Sequence, residues 1–219
     1  ISSIVSMGLG SNRYRITFKG SGGHSWGAFG LVNPAHALGR AIERFSVVAD
    51  SLTRTGPRTS FNVGRIGGGT SINSIPYEAW MEVDMRSESP ERLEIISGAL
   101  LEAVELAVDA ENRFRREGAP IEVEVDQIGS RPSGETDPGS SLVQRAMAVT
   151  RYFGETPTLS RSSTNSNIPI SLGIHAVTIG RGGAGSENHS PGEWWANVEG
   201  YKAIKRAFLI LVAEAGLAR

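Results

Sequence analysis

His189 lies in a glycine-rich stretch, Gly182-Gly183-Ala184-Gly185-Ser186-Glu187-Asn188-His189-Ser190-Pro191-Gly192, just after the apolar run Ile174 to Ile179. A catalytic zinc takes three protein ligands and keeps one position open for water or substrate. On its own, His189 reads as a metal ligand whose partners are missing. Gly23-His24-Ser25-Trp26-Gly27 matches G-x-S-x-G, which would make Ser25 the nucleophile of a serine hydrolase. That elbow needs a strand turning directly into a helix, whereas here Ala28 to Asn33 intervene before Pro34. Gly180-Arg181-Gly182-Gly183-Ala184-Gly185 satisfies G-x-G-x-x-G. Pro191 and Gly192 delay the helix whose N-terminus should take the pyrophosphate, and no lysine follows to make a P-loop.

His24 and Asn73 have stronger claims to function. Each sits in a glycine-dense loop at a strand end, where backbone can approach a ligand closely and side chains are not needed for packing. His36, on a helix, and His175, at a strand start, read as structural or surface imidazoles. Glu78, Glu82 and Asp84 alternate along one strand as a solvated face does. Arg113, Arg115 and Arg116 stand at a helix C-terminus, where cations complement the macrodipole.

Composition narrows the function classes. With 22 basic against 23 acidic side chains, the chain has no electrostatic footprint for nucleic acid or an anionic membrane. Cysteine is absent, which removes disulfide scaffolds, thiolate metal sites and cysteine nucleophiles and suits a reducing cytoplasm. The longest apolar run, Ala207 to Ala213, is far too short to span a bilayer. The N-terminus, Ile1-Ser2-Ser3-Ile4-Val5, lacks an initiator methionine and a basic leader and reads as a cut end.

The elements that must position these residues follow from periodicity. Tyr14 to Ser21 alternates as a strand, and Asn33-Pro34 opens a helix carrying Ala37, Leu38, Ala41, Ile42, Phe45 and Val48. Arg58 to Ile66 and Tyr77 to Arg86 read as strands joined by Gly67 to Pro76. Ser89-Pro90-Glu91-Arg92 caps a helix to about Arg116 with Leu93, Ile96, Leu100, Val104 and Val108 on one face. Ile121 to Ile128 alternates again. This order is the split βαβ sandwich, two helices on one face of a four-stranded antiparallel sheet. The turn-rich stretch Gly129 to Ser140 places a boundary near Arg131. Beyond it come a helix Ser141 to Phe153, an extended Thr158-Leu159, a helical turn around Asn167 to Leu172, a strand Ala176 to Ile179 and a helix Val198 to Ala215. That is too few strands for a sheet of its own.

Seven segments, in order, resemble one family: Arg13-Tyr14-Arg15-Ile16-Thr17, Gly22-Gly23-His24-Ser25, Gly67-Gly68-Gly69-Thr70-Ser71-Ile72-Asn73-Ser74-Ile75-Pro76, Asp84-Met85-Arg86-Ser87, Arg131-Pro132, Ser163-Thr164-Asn165-Ser166-Asn167 and Gly173-Ile174-His175-Ala176-Val177. The family is the di-zinc aminoacylases and metallopeptidases, which includes acetylornithine deacetylase, succinyl-diaminopimelate desuccinylase, glutamate carboxypeptidase and peptidase T. The resemblance implies an α+β chain: a ferredoxin-like lid at residues 12–130, then half of an α/β zinc-hydrolase catalytic domain at residues 131–219. Residues 1–11 would be a residual catalytic-domain or linker segment.

The resemblance also assigns roles. His189 would ligate one of two zincs, with cobalt or manganese as substitutes, and His24 would reach across a lid-mediated homodimer to stabilise an oxyanion. Asn73, Arg131, Arg86 and Gly183 would bind substrate, an N-acyl amino acid or small peptide whose amide bond is hydrolysed in the cytoplasm. The family's H-x-D pair, second aspartate and glutamate base have no counterpart in this sequence, so the chain is expected to be inactive alone. A non-catalytic dimerisation or binding module is the rival reading, and a serine hydrolase using Ser25 the weaker one. Asn165 replaces a frequent aspartate and His175 a usual proline. Strand Ala176 to Ile179 and helix Tyr201 to Val212 are expected to expose apolar faces.

Overall fold

In a computed structural model that describes residues 2–216, the chain runs through β1 (Ser3–Gly8), β2 (Gly10–Lys19), β3 (Gly23–His24), α1 (Pro34–Thr53) and β4 (Thr59–Gly68). It continues through β5 (Ser74–Ile75), β6 (Glu78–Ser87), α2 (Pro90–Phe114), β7 (Glu122–Arg131), β8 (Gly134–Glu135) and α3 (Ser141–Tyr152). Then come β9 (Thr158–Ser162), α4 (Asn167–Ser171), β10 (Thr178–Ile179), β11 (Ala184–Ser186), β12 (Trp194–Ala196) and α5 (Tyr201–Ala215). Two compact units result, one of Gly10–Arg131 and the other of Ile1–Leu9 with Pro132–Arg219. The outermost residues assigned from sequence, 1 and 217–219, lie outside the described part.

The Gly10–Arg131 unit has the anticipated split βαβ form. Its antiparallel sheet has the order β4-β6-β2-β7, and α1 and α2 pack side by side on one face. Each helix starts where its cap dictates. The Asn33 side chain accepts the Ala35 N–H at 3.0 Å, and Ser89 Oγ accepts the Arg92 N–H at 3.2 Å, each just before a proline in the first turn. From α1, Ala37, Leu38, Ala41 and Phe45 meet Leu93, Ile96, Leu100 and Val104 of α2 over Ile16, Phe18, Met81, Val83 and Met85 of the sheet. Phe45 meets Phe61 edge-on, with ring centroids 5.3 Å apart.

The opposite sheet face is charged and paired, as the alternating carboxylates suggested. Glu82 bridges Arg15 (2.8 Å) and Arg65 (2.9 Å), which flank the Trp80 ring at 4.0 and 5.5 Å. Asp84 bridges Arg13 and Arg86, both at 2.7 Å. Partial burial pushes the Asp84 carboxyl upward, but the hydrogen bonds and charges of Arg86 and Arg13 outweigh it, holding the group below its ordinary value.

The second unit corrects the strand count. The segment read as a residual catalytic-domain or linker stretch supplies β1, the hub of a four-stranded sheet. It pairs in parallel with β9, from Ser3↔Thr158 to Gly8↔Ser162, and antiparallel with both β10 and β8. Ile4 is fully buried with Ala146 of α3 and Ile210 of α5. Val177 and Ile179 pack against that cluster and are half-buried, so the strand face expected to be exposed is partly covered by it. The helix expectation holds, since Ile204, Phe208 and Leu211 of α5 are exposed. Arg206 turns inward instead and is fully buried, donating to the Ser3 carbonyl at 3.3 Å. Among the described residues no helix is long and apolar enough to cross a membrane.

Two predictions follow from this packing. Ile4→Ala, which removes the buried side chain at the hub of the second sheet, is expected to destabilise that unit by roughly 2–5 kcal/mol in urea unfolding; a loss under about 0.5 kcal/mol would contradict the central place of β1. For Asp84, whose folded pKa is depressed, the stabilisation is present above the unfolded value of about 3.9 and fades as pH falls through the lower folded value. Wild type should therefore exceed Asp84→Asn by at most about 1 kcal/mol at neutral pH, because the paired arginines are well exposed. The gap should close as pH falls through the folded value, and urea midpoints that differ equally at neutral and strongly acid pH would refute the pairing as its source.

Candidate functional site

The anticipated site residues fall into three clusters, two in the Gly10–Arg131 unit and one in the other. His24 and Asn73 come together. β3 pairs with β5 through Gly23↔Ile75 and His24↔Ser74, and the Ser25 N–H donates to the Asn73 carbonyl at 2.9 Å. The turn after His24 folds back on its ring, so that the N–H groups of Trp26 and Gly27 donate to His24 Nδ1 at 3.2 and 3.3 Å. Only an unprotonated nitrogen accepts two such donors. The proton of the neutral ring then resides on Nε2, making His24 a hydrogen-bond donor toward solvent. Asn73 Oδ1 is occupied by the Ser71 hydroxyl at 2.8 Å, while its Nδ2 makes no hydrogen bond to a described residue. The pair therefore presents N–H donors, which suits an oxyanion or carbonyl oxygen.

Arg86 and Arg131 form the second cluster. Both lie opposite Ser11, Arg86 on β6 and Arg131 on β7. A bulge between Arg13 and Tyr14 of β2 gives β7 one extra residue, Ile128, which turns Arg131 to the face that carries Arg86. Eight residue steps along β2, from Ser11 to Lys19, separate this end from the end where Glu78 follows the Asn73 loop, about 26 Å at the usual strand rise. One copy of the chain does not bring these arginines to His24 and Asn73. Arg86 is already paired with Asp84, whereas Arg131 makes no ion pair with a described residue.

Gly183 and His189 occupy the β11–β12 hairpin of the second unit, where Ala184 pairs with Ala196 and Ser186 with Trp194. Gly183 has φ +74°, and a Cβ there would stand 2.6 Å from the Ala196 carbonyl oxygen. Only glycine fits, because the opposite strand of the hairpin approaches too closely for a side chain. His189 also sits in the left-handed region, at φ +68°, with its N–H donating to Glu193 at 3.1 Å and its side chain exposed. A non-glycine residue there costs energy that local structure must offset. Among the described residues, no three of histidine, aspartate and glutamate come close enough to hold a metal ion. A zinc of three protein ligands does not fit the residues present, and His189 offers one donor only.

Ser25 is no nucleophile elbow. It follows a two-residue strand, turns through Trp26 and Gly27, and precedes α1 by nine positions. The Gly180 to Gly185 run leads into a hairpin and not a helix. His36 and His175 are exposed. Sequence reasoning passed over Asn167, which is fully buried. Its Nδ2 donates to the carbonyls of Leu9 (2.9 Å) and Pro132 (2.8 Å), and its Oδ1 accepts the Thr164 N–H at 2.9 Å. A Cβ at Gly8 would stand 3.0 Å from that amide, which explains the glycine. The signal available was its place in the Ser163 to Asn167 motif.

The fold recurs in solved structures. Aminopeptidase PepT from Bacillus cereus matches 97% of this chain at 23% identity and a TM-score of 0.70. A tripeptidase from Staphylococcus aureus matches 98% at 20% identity and 0.76. An amidase of the hydantoinase/carbamoylase family from Burkholderia multivorans matches 98% at 18% identity and 0.62. The match covers 53%, 54% and 51% of those chains, so this chain spans about half their length. At the level of sequence, the peptidase dimerisation domain family matches residues 9–111. Residues 9–111 are thus similar in sequence to that family, and the chain shares its fold with these peptidases and amidases.

Proposed function

We propose that this chain supplies the lid, the dimer contact and the C-terminal half-site of a zinc-dependent amidohydrolase or peptidase acting on an N-acyl amino acid or small peptide. Residues 12–130 act as the lid and residues 131–219 as the half-site, with residues 1–11 belonging to the latter. The observation that carries this reading is the lid-tip histidine, held as an Nε2–H donor by its own turn within a peptidase dimerisation domain.

The chemistry left to this chain is binding and charge stabilisation. Addition of water to an amide carbon puts negative charge on the carbonyl oxygen. A donor already oriented toward that oxygen lowers the barrier, by about 2.7–4 kcal/mol per donor in measured oxyanion holes. His24 supplies such a donor to the site of a second copy, keeping its proton on Nε2, while the free Nδ2 of Asn73 holds the substrate beside it. Arg131, with Arg86, takes the substrate carboxylate through planar guanidinium forks. Gly183 offers backbone to the substrate, and His189 contributes one imidazole to a metal site completed by residues other than those described. The chain by itself is inactive on this reading.

Sedimentation equilibrium should therefore give a dimer, and isothermal titration with Zn²⁺ should give only weak binding without peptidase activity. A clean monomer, or tight stoichiometric zinc with hydrolysis, would overturn the proposal. Long-range ¹H–¹⁵N spectra at pH 8 should show the proton of His24 on Nε2. Protonation on Nδ1 would remove the donor this reading needs.

A further inference from the structure

A cleft of about 540 Å³ opens in the Gly10–Arg131 unit between the start of α1 and the end of α2. Its size falls within the ~300–1,000 Å³ typical of small-molecule sites. The segment Phe29 to Leu31 forms one rim and is stapled in place. The Gly30 carbonyl accepts the N–H groups of Arg116 (2.8 Å) and Glu117 (3.4 Å). At the base, Glu111 is nearly fully buried and its carboxylate is spent, with one oxygen accepting the Asn33 N–H at 2.8 Å and the other paired with Arg40.

What remains is a cation without an anion. Arg116 lies 4.9 Å over the Phe29 ring and makes no ion pair with any described residue. Two guanidiniums against one carboxylate leave the cleft one positive charge in excess. Around that charge the surface is apolar and uncovered: Phe29 and Phe114 are each 67% exposed, and Ile72 completely so. The cleft is also continuous with the lid tip, since Ser25 borders His24, and Ile72 and Ser74 flank Asn73.

We infer that this cleft binds a small carboxylate ligand bearing a large apolar side chain, at a site apart from the substrate carboxylate given to Arg131 and Arg86, with the ligand's carboxylate on Arg116 and its side chain against Phe29 and Phe114. A guanidinium fork matches a carboxylate through two parallel hydrogen bonds, and aromatic walls reward an aromatic or long aliphatic side chain. This binding does not rest on the lid reading above. The concave, half-open shape and unspent charge favour a small anion over a flat protein contact, for which each partner usually buries about 800 Å².

The test is isothermal titration of the 219-residue chain with N-acetyl-L-phenylalanine, its amide, and N-acetylglycine. Saturable binding of the first at one per chain is expected, with at least tenfold weaker binding of the other two. Arg116→Gln should lose at least tenfold toward the carboxylate ligand and little toward the amide. Arg116→Lys should recover only part, because a point charge replaces a fork. Phe29→Ala should weaken the phenylalanine ligand toward the level of N-acetylglycine, and unchanged thermal melting would show that each variant folds. Equal affinity for acid and amide, indifference to Arg116→Gln, or no binding would overturn the proposal. So would ligand release as the protein self-associates, which would identify a second copy as the occupant. The titration requires neither dimer nor turnover. Binding by a monomer would sink the dimer reading and keep the cleft, whereas a dimer that binds nothing would do the reverse.

Discussion

The architecture depends on a strand that pairs with partners more than 125 residues away in sequence. β1 forms hydrogen-bonded ladders with β8, β9 and β10 at once, so no sheet of the second unit exists until the chain has travelled through Gly10–Arg131 and come back. That excursion is possible only because its ends are neighbours. Ser11 near the start of β2 stands opposite Arg131 at the end of β7. In the second unit a single amide, Asn167, grips the carbonyls of Leu9 and Pro132, the points of exit and return. Both of its Nδ2 hydrogens and its oxygen are used in a fully buried position. Removing one buried partner would leave the others unsatisfied, which costs more than the bond itself contributes. Closing so long a loop carries an entropic penalty that grows only slowly with length. A folded insertion whose own strands bring its ends together largely removes that penalty.

Legibility in the sequence followed the range of the interactions. α1 and α2 were readable because their caps, prolines and apolar spacing lie within one turn of each other, and the four strands of the first sheet were readable from alternation. β1 was not. Its inward positions after Ile4 are Ser6 and Gly8, neither of them apolar, and what makes it a strand is pairing with residues 134–179. The bulge that places Ile128 out of register is invisible for the same reason, since it exists only relative to β2.

The site divides similarly. His24 and Asn73 stood out because glycine-dense loops at strand ends are a local signal, whereas the cleft beside them draws on three separate stretches, residues 25–40, 72–75 and 111–116. Arg116 is instructive. As a basic residue at a helix end it has an adequate electrostatic explanation. α2 ends at Phe114, however, and the Arg116 N–H is taken by Gly30 of a different loop, which moves the guanidinium off the helix axis and over Phe29.

The two candidate histidines illustrate how differently a fold can prepare the same side chain. His24 is prepared chemically: its turn uses one ring nitrogen, which decides where the proton sits and leaves the other nitrogen a donor with no choice of role. That arrangement is incompatible with metal ligation through Nδ1 and well matched to an anionic oxygen. His189 is prepared conformationally: the left-handed backbone and the bond to Glu193 present its ring at the tip of a hairpin, and no described side chain makes a hydrogen bond to either ring nitrogen. Both nitrogens remain available, which is what a metal ligand requires before its metal and second-shell partner select one of them. A residue built to donate and a residue built to accept thus occupy separate units of one chain. The separation explains why local reading could find each histidine by itself.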